Sequence, residues 1–444
     1  MCAGAKSAAG PDLIRFGPDG HLILWMSSTG TIQGRCVDVG SGPGNLTVRV
    51  VRSLAEIEEF RDLWEPWQEH PNSVVDNYLA WFTQDKASRP HVMVVYRDGC
   101  PDCLLIGKVL RTAVISRIAR LIRSDARVLY FIDGGLLGNS SAENCDFLVR
   151  TIVAQLRQGE ASAAEFFGLP VDSPLYRAVM QIPNFFCRDH FPAKIVHRYL
   201  MLPNSLQDFL SGLPAKERQN LSYRQKRLLK KFAGQVRVGR FWREDDVERL
   251  IGDAEIVAQK TYQRAIDRGF KLSEGAGLRA EARMGCLRAY VLYIEEKPCA
   301  FLIASWRNGI LYGTYAGHDP AYNEFSPGRY LLMHCVEDCL VRNRMEKTIM
   351  IDPGHGDQSY KRIFTNAERQ DAHVAIYPRT FAGFLRNIAR MVFRSAAYCV
   401  KSLLVKSNLL PLIRSRHRKQ AGHRSRHSQG VHQNRPSQQT SQPN

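Results

Sequence analysis

The chain has 444 residues, of which 44% are hydrophobic, so it is long enough for two or three domains and a sizeable core. No Asp or Glu follows Asp371, and 13 of the last 73 residues are Lys or Arg; the net charge of +18 therefore leaves only +5 for the rest and excludes a uniformly basic body. Eleven cysteines without a repeating spacing favour a reducing compartment, by default the cytoplasm, over a secreted disulfide framework.

Residues 1–45 are rich in Gly, Ser and Ala and predict a flexible lead-in. Its apolar run HLILWM is short and has no basic stretch shortly before it, so we predict no signal peptide. From Leu54 to Trp67 the apolar residues recur at helical intervals, which predicts that a helix opens the folded part.

HVMVVYRDGCPDCLLIGKV, which begins at His91, predicts two strands joined by a turn that contains glycine. The CPDC within it has the spacing of a zinc knuckle. No second CxxC or paired His follows, so a hairpin with incidental thiols is the favoured interpretation.

Three pairs of matching segments indicate that one α/β unit is duplicated. The strand, turn and strand around HVMVVYRDGC recur in AYVLYIEEKPCAFLIASW, and two further pairs match Tyr130 with Tyr312 and Tyr176 with Tyr360. These tyrosines are separated by 182 and 184 residues. The near-constant spacing predicts an N-terminal domain over residues 46–200 and a C-terminal domain over 201–380. The alternative is chance similarity between generic α/β patterns.

A strongly basic helix is predicted between the halves, from Ala215 to Phe232. It has one surface aromatic residue, Tyr223, which is poor support for stacking on a single-stranded nucleic acid. A solvated basic face is the favoured interpretation, and steering of an anionic acceptor or tRNA is the alternative.

Residues 381–412 predict an amphipathic basic helix, and residues 413–444 a disordered basic tail. Basic residues interrupt the longest apolar stretch of this region, so we predict no transmembrane helix. The helix either packs on the second domain or lies on an anionic membrane at the inner face. One side carries Phe381, Leu385, Ile388, Val392, Cys399 and Leu403, and another carries Arg386, Arg390 and Arg394.

The loop YAGHDPAYNEFSPGRY connects a predicted strand to a helix that begins near Gly328. A helix start has unpaired N–H groups and a partial positive charge, so it accommodates a phosphate where no side chain blocks the approach. Gly328 removes the block, Pro327 fixes the entry of the chain, and Arg329 adds a positive charge. The loop therefore predicts an anion site, and an ordinary helix start is the alternative.

The corresponding place in the first half reads LGNSSAENCDF. Glu143 and Asp146 fall in the first helical turn, where their carboxylates occupy or repel a phosphate. We therefore predict that the N-terminal domain binds no cofactor and is a structural partner.

The run LYGTYAGHDPAYNEFSPGRYLLMHCVEDCL, followed by IMIDPGHGDQSYKRIF, resembles the signature of the CelD-like acetyltransferases, a branch of the GNAT superfamily related to FemAB transferases. The similarity includes SPG before the helix, the Asp at a strand end and YK in the next helix. With NYLAWF near the N-terminus, it covers about residues 50–380.

The resemblance implies an α/β fold of tandem mixed sheets flanked by helices, with acyl-CoA, such as acetyl-CoA, as co-substrate. It places the pyrophosphate at Ser326, Pro327, Gly328, Arg329 and Tyr330. The pantetheine arm pairs as an added strand with Thr314, Tyr315 and Ala316. Lys361 either contacts the CoA phosphates or is solvated.

Acyl transfer needs a base, oxyanion donors and an acid for the departing thiolate. Asp352 and His355 follow the strand next to the cofactor strand in such a fold and are the candidate bases. The resemblance suggests Tyr360 as the acid and backbone N–H groups near Ala316 as oxyanion donors. The alternatives are that Asp352 only caps a turn and that Tyr360, like Tyr176, only packs its ring.

We predict no metal, since a packed helix face explains His334 and Asp338 better than a metal site does. The predicted function is acyl transfer from acyl-CoA to an amine or hydroxyl of a small molecule or glycan, in bacterial polysaccharide, cellulose or cell-envelope biosynthesis. One alternative is aminoacyl transfer from tRNA, which requires strongly salt-dependent tRNA binding. The other is a non-catalytic accessory protein of a membrane polysaccharide synthase.

Overall fold

The computed structural model describes residues 14–16, 22–24, 46–111, 127–265, 268–346, 348–356 and 358–406. Apart from two short strands, the predicted lead-in and the predicted tail lie outside these residues. The described strands are β1 (Ile14–Phe16), β2 (Leu22–Leu24), β3 (Leu46–Val51), β4 (Arg89–Arg97), β5 (Cys100–Arg111), β6 (Arg127–Gly138), β7 (Ala163–Pro170), β8 (Ala193–Met201), β9 (Val236–Phe241), β10 (Leu287–Ile294), β11 (Lys297–Arg307), β12 (Ile310–His318), β13 (Met350–Asp352) and β14 (Ala367–Ile376).

The described helices are α1 (Leu54–Glu59), α2 (Arg61–Trp64), α3 (Val75–Gln84), α4 (Ala142–Arg157), α5 (Pro174–Gln181), α6 (Leu206–Gly212), α7 (Ala215–Lys231), α8 (Val247–Ala258), α9 (Tyr262–Ala265), α10 (Gly275–Arg283), α11 (Pro327–Glu346), α12 (Ser359–Phe364) and α13 (Phe381–Lys406). Within the described part of the chain, no helix combines the length and apolar character needed to cross a membrane.

The chain forms two compact units. Unit 1 comprises residues 1–198, 355–362 and 366–396, and unit 2 comprises residues 199–354, 363–365 and 397–444. Unit 2 begins at residue 199, and two segments from the second half of the chain, 355–362 and 366–396, belong to unit 1.

In unit 1 the strands follow the order β2, β1, β3, β4, β5, β6, β7, β14. All described neighbours are antiparallel except β6 and β7, which are parallel. The last strand, β14, comes from the chain beyond unit 2 and pairs with β7. This pairing is why residues 366–380 do not belong to the second unit, in contrast to the predicted domain of residues 201–380.

In unit 2 the order is β9, β10, β11, β12, β13, followed by the end of β8. Neighbouring strands are antiparallel except β12 and β13, which are parallel. Five successive strand pairs, from β3 to β14 in unit 1 and from β9 to β8 in unit 2, thus have the same order of antiparallel and parallel pairing. The prediction of tandem mixed α/β units is confirmed.

Both faces of each sheet are covered by apolar clusters, which explains the unbroken apolar runs of the central strands. In β4, Met93 and Val95 join one buried cluster while Val92 and Val94 join another. The same alternation divides β10 between two clusters of unit 2. Neither face of these strands is left for solvent, so the site must lie at a sheet edge or loop.

Two local predictions have clear outcomes. The prediction that a helix opens the folded part is wrong, because β3 precedes it, and the predicted helix is divided into α1, α2 and a 3-10 turn. Pro66, which has no N–H with which to continue α2, lies in the 3-10 turn. The CPDC segment lies in a tight hairpin whose turn residues Asp98 and Gly99 have φ of 51° and 81°. Cys100 is exposed and Cys103 is buried, so the hairpin interpretation is confirmed.

Candidate functional site

The strands β12 and β13 of unit 2 run together for only three residues. Ile310 pairs with Met350 and Tyr312 with Asp352, after which β13 ends. Among the strands that the structure describes, none pairs with the β13 side of β12 from residue 313 to residue 318. Backbone groups along this stretch therefore form an open sheet edge, to which an extended ligand can add.

A bulge shapes the same stretch of β12. Ile303 of β11 pairs with Tyr315, and Ala304 pairs with Gly313, so Thr314 is the extra residue. Thr314 and Ala316 are exposed, whereas Tyr315 packs with its ring 5.6 Å from that of Phe270. Burial raises the pKa of Tyr315, so its hydroxyl stays protonated. The three predicted pantetheine residues thus divide into two exposed positions and one partly buried tyrosine that packs against the core.

The helix start predicted at Gly328 is α11, which begins one residue earlier at Pro327. Ser326 precedes it in the left-handed conformation, with φ of 52°. The N–H groups of Arg329 and Tyr330 donate to the Ser326 carbonyl at 3.0 and 3.1 Å. Pro327 has no N–H, so the amide of Gly328 is the helix-start donor without a protein partner among the described residues.

Space beside Gly328 is open. A Cβ placed on this residue would lie 3.8 Å from Nδ1 of His318 and meet no other atom within 4 Å. His318 is held by a contact of 2.8 Å between Nε2 and the Asn323 side chain, which fixes the ring beside the helix start. We refer to the start of α11 at Gly328, with His318 beside it, as the corner. It has room for a ligand group as well as a backbone donor.

The basic helix α7 contacts the loop that leads into α11. Arg224 donates to Oγ of Ser326. Arg227 and Lys231 both reach the carboxylate of Glu324. The last two side chains are 47% and 56% exposed, in line with a solvated face, but Arg224 is a contact that this interpretation missed.

The remaining predicted pyrophosphate residues have protein partners of their own. Arg329 pairs with Glu217 of α7 at 2.8 Å, so its charge is already compensated. The ring of Tyr330 lies 4.7 Å from that of His334, and burial raises the pKa of its hydroxyl. Positive charge at the corner is supplied by Arg224 rather than by Arg329.

The three predicted catalytic residues lie in different surroundings. Asp352 is 6% exposed, and its Oδ1 accepts the N–H of Gly354 at 2.7 Å, so it caps the turn after β13 as the alternative interpretation supposed. Tyr360 is 37% exposed on the short helix α12. His355 belongs to unit 1, where it joins a cluster of titratable side chains. Their catalytic roles remain predictions.

The centre of that cluster is the buried carboxylate of Asp371. Its Oδ2 lies 2.7 Å from Nδ1 of His197 and 3.0 Å from Nε2 of His355. Its Oδ1 accepts from Nε of Arg369 at 2.9 Å. Nδ1 of His355 lies 3.4 Å from a carboxylate oxygen of Asp133, so both ring nitrogens of His355 face carboxylates.

The two carboxylates of the cluster are shifted in opposite directions. Burial alone would raise the pKa of Asp371, but hydrogen bonds from His197 and His355 hold it far below its usual range. Burial raises the pKa of Asp133 to about 6, against the attraction of His355. At neutral pH both carboxylates are ionised, and the free-energy cost of ionisation inside the protein is larger for Asp133 than for Asp371.

Lys361 is placed differently from either prediction. It is 3% exposed, and its ammonium donates to the carbonyl of His355 at 2.9 Å. The solvated alternative is therefore wrong. A role in phosphate contact gains no support, because the ammonium is buried beside a backbone carbonyl.

Metal ligation was predicted to be absent, and this stays a prediction. Among the described residues, one group of possible ligands, His197, His355 and Asp371, has its ligand atoms within 4.8 Å of one another. Those atoms are already engaged by each other and by Arg369. The other pair considered, His334 and Asp338, lies on α11. The two carboxylate oxygens of Asp338 accept hydrogen bonds from Arg240 at 2.6 and 2.9 Å, as expected for a packed helix face.

The corresponding helix start in unit 1, that of α4, is occupied by protein groups. Ser141 accepts the N–H of Asn144 at 3.3 Å. The Asn144 side chain donates to Asp102 at 2.8 Å, and Glu143 pairs with Arg97 at 2.8 Å. These contacts agree with the predicted structural role of this half, although the absence of a cofactor there remains a prediction.

Sequence reasoning missed two residues at the corner, Arg224 and His318. Arg224, Arg227 and Lys231 are spaced at i, i+3 and i+7, which puts them on one side of a helix. The spacing indicates that the three side chains share one face of α7, but it does not indicate that this face contacts the loop before α11. His318 ends a strand before the Asp-Pro turn and gave no signal by itself.

Comparison with known families matches one segment of the chain to a family model. Residues 215–362 match the family model described as an acetyltransferase (GNAT) domain. The match begins with α7 and ends within α12, so it includes the open strand edge and the start of α11. The match covers about a third of the chain, and over these residues the chain is similar to GNAT acetyltransferase domains, as the sequence resemblance implies. No curated protein matches the chain.

Several solved structures are similar over most of the chain. FemX has 8% identity, covers 72% of this chain and 95% of its own, and has a TM-score of 0.48. A conserved protein of unknown function from Bacteroides thetaiotaomicron has 11% identity, 76% and 100% coverage and a TM-score of 0.47. A tandem GNAT protein from the clavulanic acid biosynthesis pathway has 11% identity, 74% and 98% coverage and a TM-score of 0.40.

Proposed function

We propose that the chain is an acyl-CoA-dependent acyltransferase whose GNAT domain binds the coenzyme along β12 and at the start of α11. The observation that carries this proposal is the corner itself. An unpaired strand edge at residues 313–318 leads to a helix start where Gly328 leaves both an amide donor and open space. The matching family model covers the same residues.

The corner fits the two chemical parts of CoA. The pantetheine arm is a chain of amides, which can pair with an open β edge as an added strand. The pyrophosphate is an anion, which a helix N-terminus stabilises through its amides and dipole. Arg224 holds Ser326 and brings a positive charge to the same loop. Arg329, through its pair with Glu217, instead ties α11 to α7.

The chemistry proposed is attack of an amine or hydroxyl on the thioester carbonyl, with loss of the CoA thiolate. Backbone N–H groups near Ala316, beside the Thr314 bulge, are the proposed oxyanion donors, because a bulge frees donors from the strand ladder. Asp352 is the proposed base, with His355 as the second candidate. Tyr360 is the proposed acid that returns a proton to sulfur.

The acceptor is proposed on the sequence resemblance alone, as an amine or hydroxyl of a cell-envelope or polysaccharide precursor. Transfer from tRNA is less well supported, since Arg227 and Lys231 are engaged with Glu324 rather than presented as an open tract. For that reason we propose acetyl-CoA or another acyl-CoA as the donor.

The test is release of free thiol from acetyl-CoA and longer acyl-CoAs in the presence of a panel of amine and hydroxyl acceptors. The wild-type chain is expected to release thiol with at least one pair, and Gly328→Glu is expected to release none. Asp352→Asn and Tyr360→Phe separate the proton-transfer roles, because they should lower kcat while leaving CoA binding intact. CoA binding without thiol release from any donor and acceptor would favour the non-catalytic accessory protein.

A further inference from the structure

Helix α13 is fixed to unit 1 by its polar side. The side-chain amide of Asn387, 2% exposed, donates to the carbonyls of Phe186 and Arg188 at 3.1 and 2.8 Å. Arg390, 8% exposed, pairs with Glu165 at 3.0 Å. A buried ion pair needs such partners to offset the cost of leaving water. The side of the helix that faces the protein therefore carries the polar groups of Asn387 and Arg390.

The opposite side of α13 is apolar and faces solvent. Amphipathic surface helices ordinarily turn their apolar stripe towards the core. In α13 the residues at successive spacings of four, three and four positions are exposed instead: Phe381 (76%), Leu385 (48%), Ile388 (38%) and Val392 (63%). We refer to these four side chains as the outer stripe.

A neighbouring loop, Asn184–Phe191, adds more exposed apolar surface. Phe185, Phe186 and Phe191 are 58%, 58% and 51% exposed. The loop is held against α13, because the ring of Phe186 lies 5.6 Å from that of Phe384 and Arg394 donates to the Phe191 carbonyl at 3.0 Å. Exposed apolar surface on this scale marks an interaction site more often than a free surface.

Among the described residues of α13 and of the Asn184–Phe191 loop with its flanks, the charged side chains that reach the surface are basic. The segment that contains α13 has no acidic residue after Asp371, and the loop and its flanks have a single one, Asp189. Asp189 is buried and lies 3.4 Å from the guanidinium of Arg390. Arg379 and Lys194 are exposed. A second copy of this face would repel the first, whereas an anionic surface would attract it.

We propose that unit 1 binds the surface of an anionic phospholipid bilayer through the outer stripe and the Asn184–Phe191 loop. Phenylalanine and aliphatic side chains enter the boundary between head groups and acyl chains, while the surrounding arginines and lysines meet the lipid phosphates. No helix in the described part of the chain is suited to span the bilayer, so the contact is peripheral. Of the two interpretations of the C-terminal helix, this proposal adopts the membrane contact, and it does not depend on the acyltransferase proposal.

The test is co-sedimentation of the full chain with vesicles of phosphatidylcholine alone or with 30% phosphatidylglycerol, in a double variant Phe381→Glu/Val392→Glu and in the wild type. The control is Leu272→Glu, which changes a residue of unit 2 that is 58% exposed. Circular dichroism checks that the variants are folded, as expected for exposed positions.

The wild type and the control are expected to bind vesicles with phosphatidylglycerol at least tenfold more tightly than neutral vesicles. The double variant is expected to lose at least tenfold of that affinity. Wild-type protein that binds neither vesicle would overturn the proposal, as would a double variant that binds like the wild type. Light scattering adds a further outcome: a wild-type dimer that the double variant converts to a monomer, without vesicle binding, would assign this face to a second copy.

Discussion

Removal of the charge at Asp371 is expected to destabilise unit 1 strongly. Asp371 is fully buried and accepts hydrogen bonds from His197, His355 and Arg369 at 2.7 to 3.0 Å. In Asp371→Asn the side chain keeps its size, but an NH₂ group replaces one carboxylate oxygen and faces the hydrogen-bond donors of His197, His355 or Arg369. Loss of one partner from a buried, hydrogen-bonded charge network typically costs about 3–5 kcal/mol.

The pH dependence gives the same prediction a second readout. The pKa of Asp371 is held far below its usual range in the folded chain. Its contribution is therefore fully present above the unfolded pKa and is lost as the pH falls through the lower folded value. Stability of the wild type should fall in acid, and the variant should lack this part of the fall.

The assay is urea unfolding of the chain, followed by circular dichroism from pH 2 to pH 8, so that it includes the acid range in which the contribution of Asp371 is lost. The matched control on the same strand is Glu368→Gln, whose carboxylate is 55% exposed and pairs with Arg198 at 2.8 Å. Exposed pairs contribute at most about 1 kcal/mol, so the control should unfold near the wild-type urea concentration. If the two variants lost similar, small amounts of stability, the cluster around Asp371 would not be the buried network described above.

Three further substitutions are expected to change stability. Burial raises the pKa of Asp133 to about 6, so the folded chain holds this proton more tightly than the unfolded chain, and the free energy of unfolding falls as the pH rises from about 4 to 6. Asp133→Asn should remove that fall and raise the free energy of unfolding at pH 7 by on the order of 2 kcal/mol, which urea unfolding at several pH values measures. Burial lowers the pKa of Lys108 to about 7, so Lys108→Met should stabilise the chain at pH 7 by roughly 1–3 kcal/mol, and equal urea midpoints would contradict this. Arg307 pairs with Glu281 at 2.9 Å with both side chains 6% exposed; Arg307→Met should cost about 3–5 kcal/mol in unit 2, and a loss below 1 kcal/mol in calorimetric unfolding would show the pair to be replaceable.

Local sequence signals predicted the local elements well. The basic run beginning at Ala215 forms α7, and the SPG motif begins α11, because helical spacing and proline act through nearby atoms. The repeated strand pattern predicted two units of the same design. These features are set by residues a few positions apart, so one sequence is enough to read them.

Tertiary pairing was out of reach of the sequence. β14 joins unit 1 because it pairs with β7, and the residues of β14 alone do not indicate which strand is its partner. His197 and Asp371 are 174 residues apart, so no spacing signalled their contact. The periodicity of α13 separated its two sides correctly, but the partners of Asn387 and Arg390 decide which side faces the protein.

Titration calorimetry with acetyl-CoA shows whether CoA binds at the start of α11. Gly328→Glu places a carboxylate where a Cβ meets nothing closer than 3.8 Å, so the fold is kept while the anion site is filled. Gly252→Glu is the control, because this glycine of α8 also has open space around it. We predict that the wild type and Gly252→Glu bind with similar affinity and that Gly328→Glu binds at least 100-fold more weakly. Equal affinity of all three proteins would contradict the account.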